Sequence, residues 1–286
     1  MTEQKIVEHV RQLRDEAPGI GAYKMFLILK DVFMEAMPGR DKFYEIVNRN
    51  GLMLKPERRR HTTNSNHNYR KYKNLIKGLV VSRPNQLWVA DITYIDTDDG
   101  VVYLHLLTDA WTHEIIGWVL SDTLTSSHTI AALKMGIDHA AGADLSTLTH
   151  HSDRGSQYCS NAYVDLLKSV NASISMTEDY KPTDNAIAER VNGIIKQEWL
   201  YRTKRPKDLE DATGMIRDII NFYNNKRPHM SNNMMTPVEK RKSHEAAYKY
   251  KVHSRKRPLQ REMVADTEFE CIFADVKLSS STFPSL

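Results

Sequence analysis

The feature that most constrains the fold is a change of hydrophobic periodicity between residues 87 and 176. Three segments, LWVADITYIDT (87–97), VVYLHLLTD (101–109) and EIIGWVLSD (114–122), are rich in β-branched and aromatic residues. Such composition is typical of strands, and the DDG between the first two is a hairpin-turn signal. The short connections predict an antiparallel meander of three strands.

Helical and extended patterns then alternate along the chain. The sequence predicts a helix at 126–142, a strand at 145–150, a helix at 160–170 and a strand at 172–176. Strands that are joined through helices imply a mixed sheet with helices on both faces. Ligands of such sheets gather at the carboxyl ends of the parallel strands, and Asp153 falls just past one of these ends.

The flanking segments define the predicted regions. Apolar periodicity predicts three short helices before residue 55, a unit with helix-turn-helix character, and two further helices at 184–200 and 208–225. The predicted regions are a helical region (1–54), a basic linker or DNA-tracking segment (55–82), an α/β catalytic core with C-terminal helices (83–240), and a basic, variable tail (241–286).

Charge is placed unevenly along the 286 residues, although the net charge is only +4. Between residues 51 and 80 the single acid is Glu57, against eight bases. This pattern suits either a solvated linker or a surface that binds a polyanion. The basic residues of this segment are Lys55, Arg58, Arg59, Arg60, Arg70, Lys71, Lys73 and Lys77.

The sequence shows no sign of a targeting signal or of a metal site built from cysteines. We expect no membrane span and no secretory signal, because the chain has no long apolar run and begins with charged residues. The two cysteines, Cys159 and Cys271, have no metal-type spacing, which argues against a zinc site and suits a reducing cytoplasm.

Three carboxylates are the candidate chemical groups. Asp91 interrupts an apolar strand, where the alternatives are a buried salt bridge, a hydrogen-bonded side chain or a metal ligand. Glu189 shares one helix face with Asn192 and Lys196, and taken alone it would be a solvent-facing residue. Together with Asp153 these acids can converge at one sheet edge, where oxygen ligands suit Mg²⁺ and phosphoryl transfer.

Four motifs carry a resemblance to a known family. They are NQLWVADITYI, HHSDRGSQY, DNAIAERVNGIIKQE and FYNNKRPHMSNNMMTPVE. In this order they resemble the integrase-core region of OrfB-type insertion-sequence transposases, which are related to retroviral integrases. The 35 residues between Asp153 and Glu189 match the family's Asp-Asp-35-Glu spacing, and Lys196 matches its basic residue. The charged EDYKPTDNA loop and the segment 258–286 depart from the family pattern.

The resemblance implies a ribonuclease-H-like, mixed five-stranded sheet and a metal-binding catalytic triad of Asp91, Asp153 and Glu189. It implies two Mg²⁺ ions, for which Mn²⁺ can substitute, and a DDE transposase that cleaves transposon-end DNA and transfers strands into target DNA. The alternatives are a hydrolysis-only nuclease of the same fold and a domesticated DNA-binding regulator without catalysis. The implied partners are double-stranded DNA, a second copy of the chain or a higher oligomer, and an upstream-frame DNA-binding product. The implied location is the bacterial cytoplasm, at the nucleoid.

DNA contacts are predicted at residues close to these motifs or within the basic segment. For Gln157 and Tyr158 the alternative is packing at a helix start, and for Arg227 and His229 it is a structural role beside Pro228. We expect structural or DNA-contacting roles for His150 and His151, because metal-assisted chemistry needs no histidine base. The full set comprises Lys196, Asn192, Arg154, Gln157, Tyr158, Arg58, Arg59, Arg60, Arg70, Lys71, Lys73, Arg227 and His229.

Overall fold

The computed structural model describes residues 3–54, 69–178 and 185–256, with side chains up to residue 247. Residues 1–247 form one compact unit, and a second unit begins at Tyr248, of which only a helix end is described. The strands are β1 (Leu87–Thr97), β2 (Gly100–Asp109), β3 (Ile115–Ser121), β4 (Thr149–Ser152) and β5 (Ser173–Met176). The α-helices are α1 (Glu3–Glu16), α2 (Ala22–Phe33), α3 (Arg40–Arg49), α4 (Ser126–His139), α5 (Ser156–Cys159), α6 (Asn161–Ser169), α7 (Ala186–Ile195), α8 (Leu209–Asn225) and α9 (Pro237–Lys256).

The five strands form one mixed sheet in the order β3-β2-β1-β4-β5. The first three strands are antiparallel, while β4 and β5 run parallel to β1. The predicted sheet, flanked by helices and preceded by a helical region, is confirmed. It is the ribonuclease-H-like arrangement that the resemblance implies.

Each face of the sheet has its own apolar core. On one face, side chains of α4, α5 and α6 pack with Trp88, Leu107 and Met176. On the other, α7 and α8 pack with Ile95 and Leu104, and helices α1 to α3 bury their apolar residues in this same cluster. The predicted region 1–54 is therefore part of the compact unit that contains the sheet, and does not form a compact unit of its own.

Several predicted boundaries differ from the structure. The strand predicted at 145–150 lies at Thr149–Ser152, because Leu145 and Leu148 fill the core from a loop while the strand itself is polar. The helix predicted at 184–200 ends as α7 at Ile195 and continues as a π-helical turn to Leu200. Among the described residues, no helix is long and apolar enough to span a membrane.

Two helices were not predicted. The four-residue α5 is too short to show a helical period. Helix α9 overlaps the predicted tail, and its start carries a sequence signal that was overlooked: Thr236 and Glu239 form a capping box, with reciprocal bonds of 2.7 and 3.2 Å between the side chain of each and the backbone N–H of the other.

Candidate active site

Asp91 lies on the central strand of the sheet, on the face covered by α7. Leu87 and Val89 of the same strand face pack against Ala188 of that helix. Because side chains on a strand alternate, Asp91 points to the same side as these apolar residues. Its half-buried carboxylate therefore needs compensating partners.

Asp153 follows the neighbouring parallel strand. Val89 pairs with His151, so Asp91 and Asp153 each lie two residues further along adjacent strands. The backbone N–H of Gly155 donates to Asp153 Oδ1 over 2.8 Å, which fixes the carboxylate in a tight turn. A Cβ at Gly155 would lie 2.9 Å from that oxygen, so a larger residue there would displace the Asp153 carboxylate.

The helix that carries Glu189 is fixed to β1 at two points beside Asp91. Asn185 Nδ2 donates to the backbone carbonyl of Ala90 over 3.1 Å, and Asn192 Nδ2 donates to Asp91 Oδ2 over 2.7 Å. Glu189 lies between the two asparagines, with its side chain exposed. These bonds hold α7 so that the third acid lies near the first.

The charges of Asp153 and Glu189 both act on Asp91. Burial, the charge of Asp153 and, more weakly, that of Glu189 together raise the pKa of Asp91 to about 7, against the hydrogen bonds from Ile92 and Asn192, which lower it. Burial also lowers the pKa of Lys196, which Asp91 and Asp96 oppose. The site thus collects negative charge with one lysine beside it, and a cation would relieve the repulsion.

The residues fit a hard divalent cation in donor chemistry. Among the described residues, no three His, Cys, Asp or Glu side chains form a ready-made metal cluster. However, three buried polar atoms around Asp91 find no hydrogen-bond partner among those residues: Tyr158 Oη, Asn185 Oδ1 and Asn192 Oδ1. A buried polar atom without a hydrogen-bond partner destabilises the fold. The water molecules of a hydrated cation, held by the carboxylates, would supply the missing partners.

Comparison with known proteins places the chain within a family. An integrase core domain model matches residues 81–182, and a second integrase core domain model matches residues 171–237. The chain is 35% identical over 218 residues to the 31 kDa protein of insertion element IS600 from Shigella sonnei, covering 75% of this chain and 76% of that protein. This chain belongs to the insertion-sequence transposases with an integrase core.

Other members of the family match over a shorter length. The putative transposase of IS986/IS6110 from Mycobacterium tuberculosis is 33% identical over 58% of this chain and 59% of its own length. The transposase of IS629 from Shigella sonnei is 35% identical over 52% of this chain and 49% of its own length. The chain thus matches about half to three fifths of these two transposases.

Solved structures of retroviral proteins also match. The HTLV-2 integrase catalytic core domain in complex with magnesium is 19% identical, covers 55% of this chain and 96% of its own, and has a TM-score of 0.44. The simian T-cell lymphotropic virus intasome in complex with the PP2A regulatory subunit B56 gamma is 16% identical, covers 92% of this chain and 80% of its own, and has a TM-score of 0.48.

Four residues that were predicted to touch DNA are buried in this integrase-core protein. Tyr158 is 2% exposed and packs against Tyr163 and His150, and Asn192 is 6% exposed on Asp91. Arg227 is 2% exposed and His229 6%. This burial favours the packing alternative for Tyr158 and the structural alternative for Arg227 and His229, and DNA contact by these four residues stays a prediction.

The other predicted DNA contacts keep accessible surface or lie outside the described residues. Arg70, Lys71 and Lys73 are exposed, while Arg154, Gln157 and Lys196 are half-buried near the acids. Arg58, Arg59 and Arg60 fall outside the described residues. DNA binding by the accessible group therefore stays a prediction.

The two histidines before Asp153 have structural partners. His150 is buried and hydrogen-bonds Tyr163 Oη over 2.8 Å, and burial lowers its pKa to about 3. His151 Nδ1 lies 2.8 Å from Ser175 Oγ of β5. Both rings therefore help to hold β4, the strand that precedes Asp153, in place.

Sequence reasoning missed Glu198, which joins three parts of the compact unit. It accepts two bonds of 2.8 Å from the Arg227 guanidinium and forms an ion pair of 3.1 Å with Lys24 of α2. The sequence shows the acid in the motif KQE and the arginine in the motif NNKRPH, but no pattern indicates that these two motifs contact each other.

Proposed function

We propose that this chain is the catalytic subunit of a DNA transposase, a DDE polynucleotidyl transferase that cleaves transposon-end DNA and joins it to target DNA. The observation that carries the proposal is that the charges of Asp153, which follows β4, and of Glu189 on α7 both act on Asp91, within the adjacent strand β1. The integrase-core relatives support the same chemistry.

In this proposal each residue has a defined task. Asp91, Asp153 and Glu189 would hold two Mg²⁺ ions, with Mn²⁺ as a substitute. Such ions activate an attacking hydroxyl and stabilise the leaving oxygen in phosphoryl transfer. Lys196 would bind a phosphate of the DNA end, and the Gly155 N–H and Asn192 amide keep two of the carboxylates in place. The protein contributes position and charge rather than a covalent intermediate.

The proposed partners follow from this reaction. They are double-stranded DNA at the element ends and in the target, a second copy of the chain or a higher oligomer so that two ends meet, and an upstream-frame DNA-binding product. A DNA substrate would place the protein with the nucleoid in the bacterial cytoplasm.

The test is strand transfer by the purified chain on a duplex carrying an end of its element, with Mg²⁺ or Mn²⁺, alone and with the upstream-frame product. Asp153→Asn and Glu189→Gln should lose cleavage and joining but retain DNA binding, because they remove cation ligands and leave the fold unchanged. Asp165→Asn, on the exposed surface of α6, is the matched control and should remain active.

Other outcomes favour the alternatives. Cleavage without joining by the wild type would favour a nuclease, and binding without either step would favour a regulator. Wild-type levels of joining by Asp153→Asn would contradict the assignment of the triad.

A further inference from the structure

Residues 69–81, here called the strap, run along the outer edge of β5. The Leu75 N–H donates to Ser175 Oγ over 2.8 Å, and the Met176 N–H donates to the Lys73 carbonyl over 3.3 Å. Tyr72 N–H lies 3.5 Å from the sulfur of Met176. Since β5 is the last strand of the sheet, the strap covers an edge that would otherwise be open.

The contacts of the strap are concentrated at the carboxyl end of β5, which is the end of the sheet nearest Asp153. Leu75 lies at Ser175, Tyr72 and Lys73 lie at Met176, and the Asn74 N–H donates to Glu178 just past the strand. The residue after Met176, Thr177, donates through its backbone N–H to the Ser152 carbonyl over 3.0 Å, immediately before Asp153. The strap therefore lies close to the candidate active site.

Exposure alternates along the strap with the period of an extended chain. Tyr72, Asn74 and Ile76 are half-buried, and Tyr72 and Ile76 pack on the two apolar clusters that contain Trp88 and Leu87. The residues between them, Lys71, Lys73, Leu75 and Lys77, are exposed. Because an extended chain rises about 3.3 Å per residue, Lys71 and Lys73 stand roughly 6.6 Å apart on one outer face.

The outer face carries positive charge that the described protein neutralises only in part. The strap contains no acid, and Lys77 pairs with Glu178 over 2.5 Å. Within the described residues, neither Lys71 nor Lys73 forms an ion pair. The charges of Lys71, Arg154 and Asp153 all act on Cys159, whose pKa burial raises to about 11, so these charges lie in one neighbourhood.

We propose that the outer face of the strap, through Lys71 and Lys73, binds the phosphate backbone of duplex DNA and guides the duplex to Asp153. This deepens the proposed function and rests on it. The contact reads no sequence, since lysines directed at phosphates fix position rather than base identity. The contacts with β5 hold the strap in place, and its alternating exposure directs Lys71 and Lys73 outward.

The experiment compares two double variants of the full chain that lose equal charge. Lys71→Ala/Lys73→Ala removes the strap cations, while Lys134→Ala/Lys168→Ala removes exposed lysines on α4 and α6. Affinity for an element-end duplex and for an unrelated duplex is measured by fluorescence anisotropy over a range of KCl concentrations. All variants are first compared with the wild type by circular dichroism and thermal melting.

The slope of log affinity against log salt should become less negative by about 1.8 in the strap variant, on both duplexes, because each lost phosphate contact contributes about 0.9. The control variant should keep the wild-type slope. Equal slopes for the two variants would overturn the proposal, and so would a wild type that binds neither duplex.

Strand transfer by the wild type, assayed on the same preparations, separates this inference from the proposed function. If the wild type joins DNA ends but the salt slope of the strap variant equals that of the wild type, only the strap proposal is overturned. If the slope of the strap variant becomes less negative but the wild type joins no DNA, the strap is supported as a DNA contact and the transposase chemistry is contradicted.

Discussion

At the scale of single residues, Asn192 links the helix of Glu189 to the carboxylate of Asp91. Its amide donates over 2.7 Å, and this hydrogen bond lowers the pKa of a carboxylate that burial and Asp153 push upward. A donor held at this position selects one orientation of the Asp91 oxygens. We therefore assign Asn192 a positioning role instead of a DNA contact.

Asn192→Ala should weaken Mg²⁺ binding and strand transfer by about 10- to 100-fold, the usual effect of losing a group that orients a metal ligand. Titration calorimetry with Mg²⁺ and the Mg²⁺ dependence of strand transfer measure the effect. Asn225→Ala, an exposed position on α8, is the control. If Asn192→Ala bound Mg²⁺ as the wild type does, Asn192 would have no positioning role.

The sequence carries more information about the candidate acids than about the residues around them. Strand and helix patterns predict that Asp91, Asp153 and Glu189 lie near one sheet edge, and the action of the Asp153 and Glu189 charges on Asp91 supports this prediction. Helical spacing alone could not show that Asn192 faces the sheet, because Glu189, three residues earlier, is exposed. Which side of a helix is buried depends on tertiary packing that spacing does not define.

At the scale of elements, the long periodic segments were predictable and the short or polar ones were not. Strands β1 to β3 follow their predicted spans closely, and three helices precede residue 55 as predicted, since many residues contribute to each pattern. Strand β4 is only THHS, and its polar side chains are buried through pairs such as His151 with Ser175. Such a strand has no apolar alternation to recognise.

The loop between α1 and α2 approaches the turn after α7 unusually closely. A Cβ on Gly19 would lie 2.1 Å from the backbone Cα of Glu198, whereas a Cβ on Gly21 would meet nothing within 4 Å. The Gly19 N–H also donates to the Glu198 carbonyl. The absence of a side chain at Gly19 is thus a condition for this contact.

Gly19→Ala should destabilise the protein by about 1–3 kcal/mol, the range for overpacking a close contact. Gly21→Ala is the matched control two residues away, and its stability should stay within about 0.5 kcal/mol of the wild type. Urea unfolding of both variants gives the comparison. Equal stability of the two would show that the loop can move away from Glu198 at no cost.

At the scale of the whole compact unit, the N-terminal helices and the integrase core share one apolar cluster and one ion-pair centre. Glu198 contacts Lys24 of α2 and Arg227 after α8, and Trp199 Nε1 donates to the Glu16 carbonyl over 2.9 Å. Burial lowers the pKa of Lys24 to about 8, against the attraction of Glu198. The carboxylate therefore compensates two cations that packing has removed from water.

Glu198→Gln should lower the free energy of unfolding at pH 7 by about 3–5 kcal/mol, because it leaves the Arg227 guanidinium buried without its counter-charge. Burial alone would raise the pKa of Glu198, but Arg227 and Lys24 hold it below its ordinary value of 4.5. The stabilisation is then complete above pH 4.5 and is lost as pH falls through the lowered folded-state pKa.

The difference in stability between wild type and Glu198→Gln should consequently be largest near neutral pH and shrink in acid. Urea unfolding at several pH values measures it, with Glu3→Gln as the control, since Glu3 pairs with Arg49 at the exposed surface and should change stability little. A difference that stayed constant with pH would mean that Glu198 acts through packing alone. A difference that shrinks would show that the charge of Glu198 stabilises the contact between α2 and the integrase core.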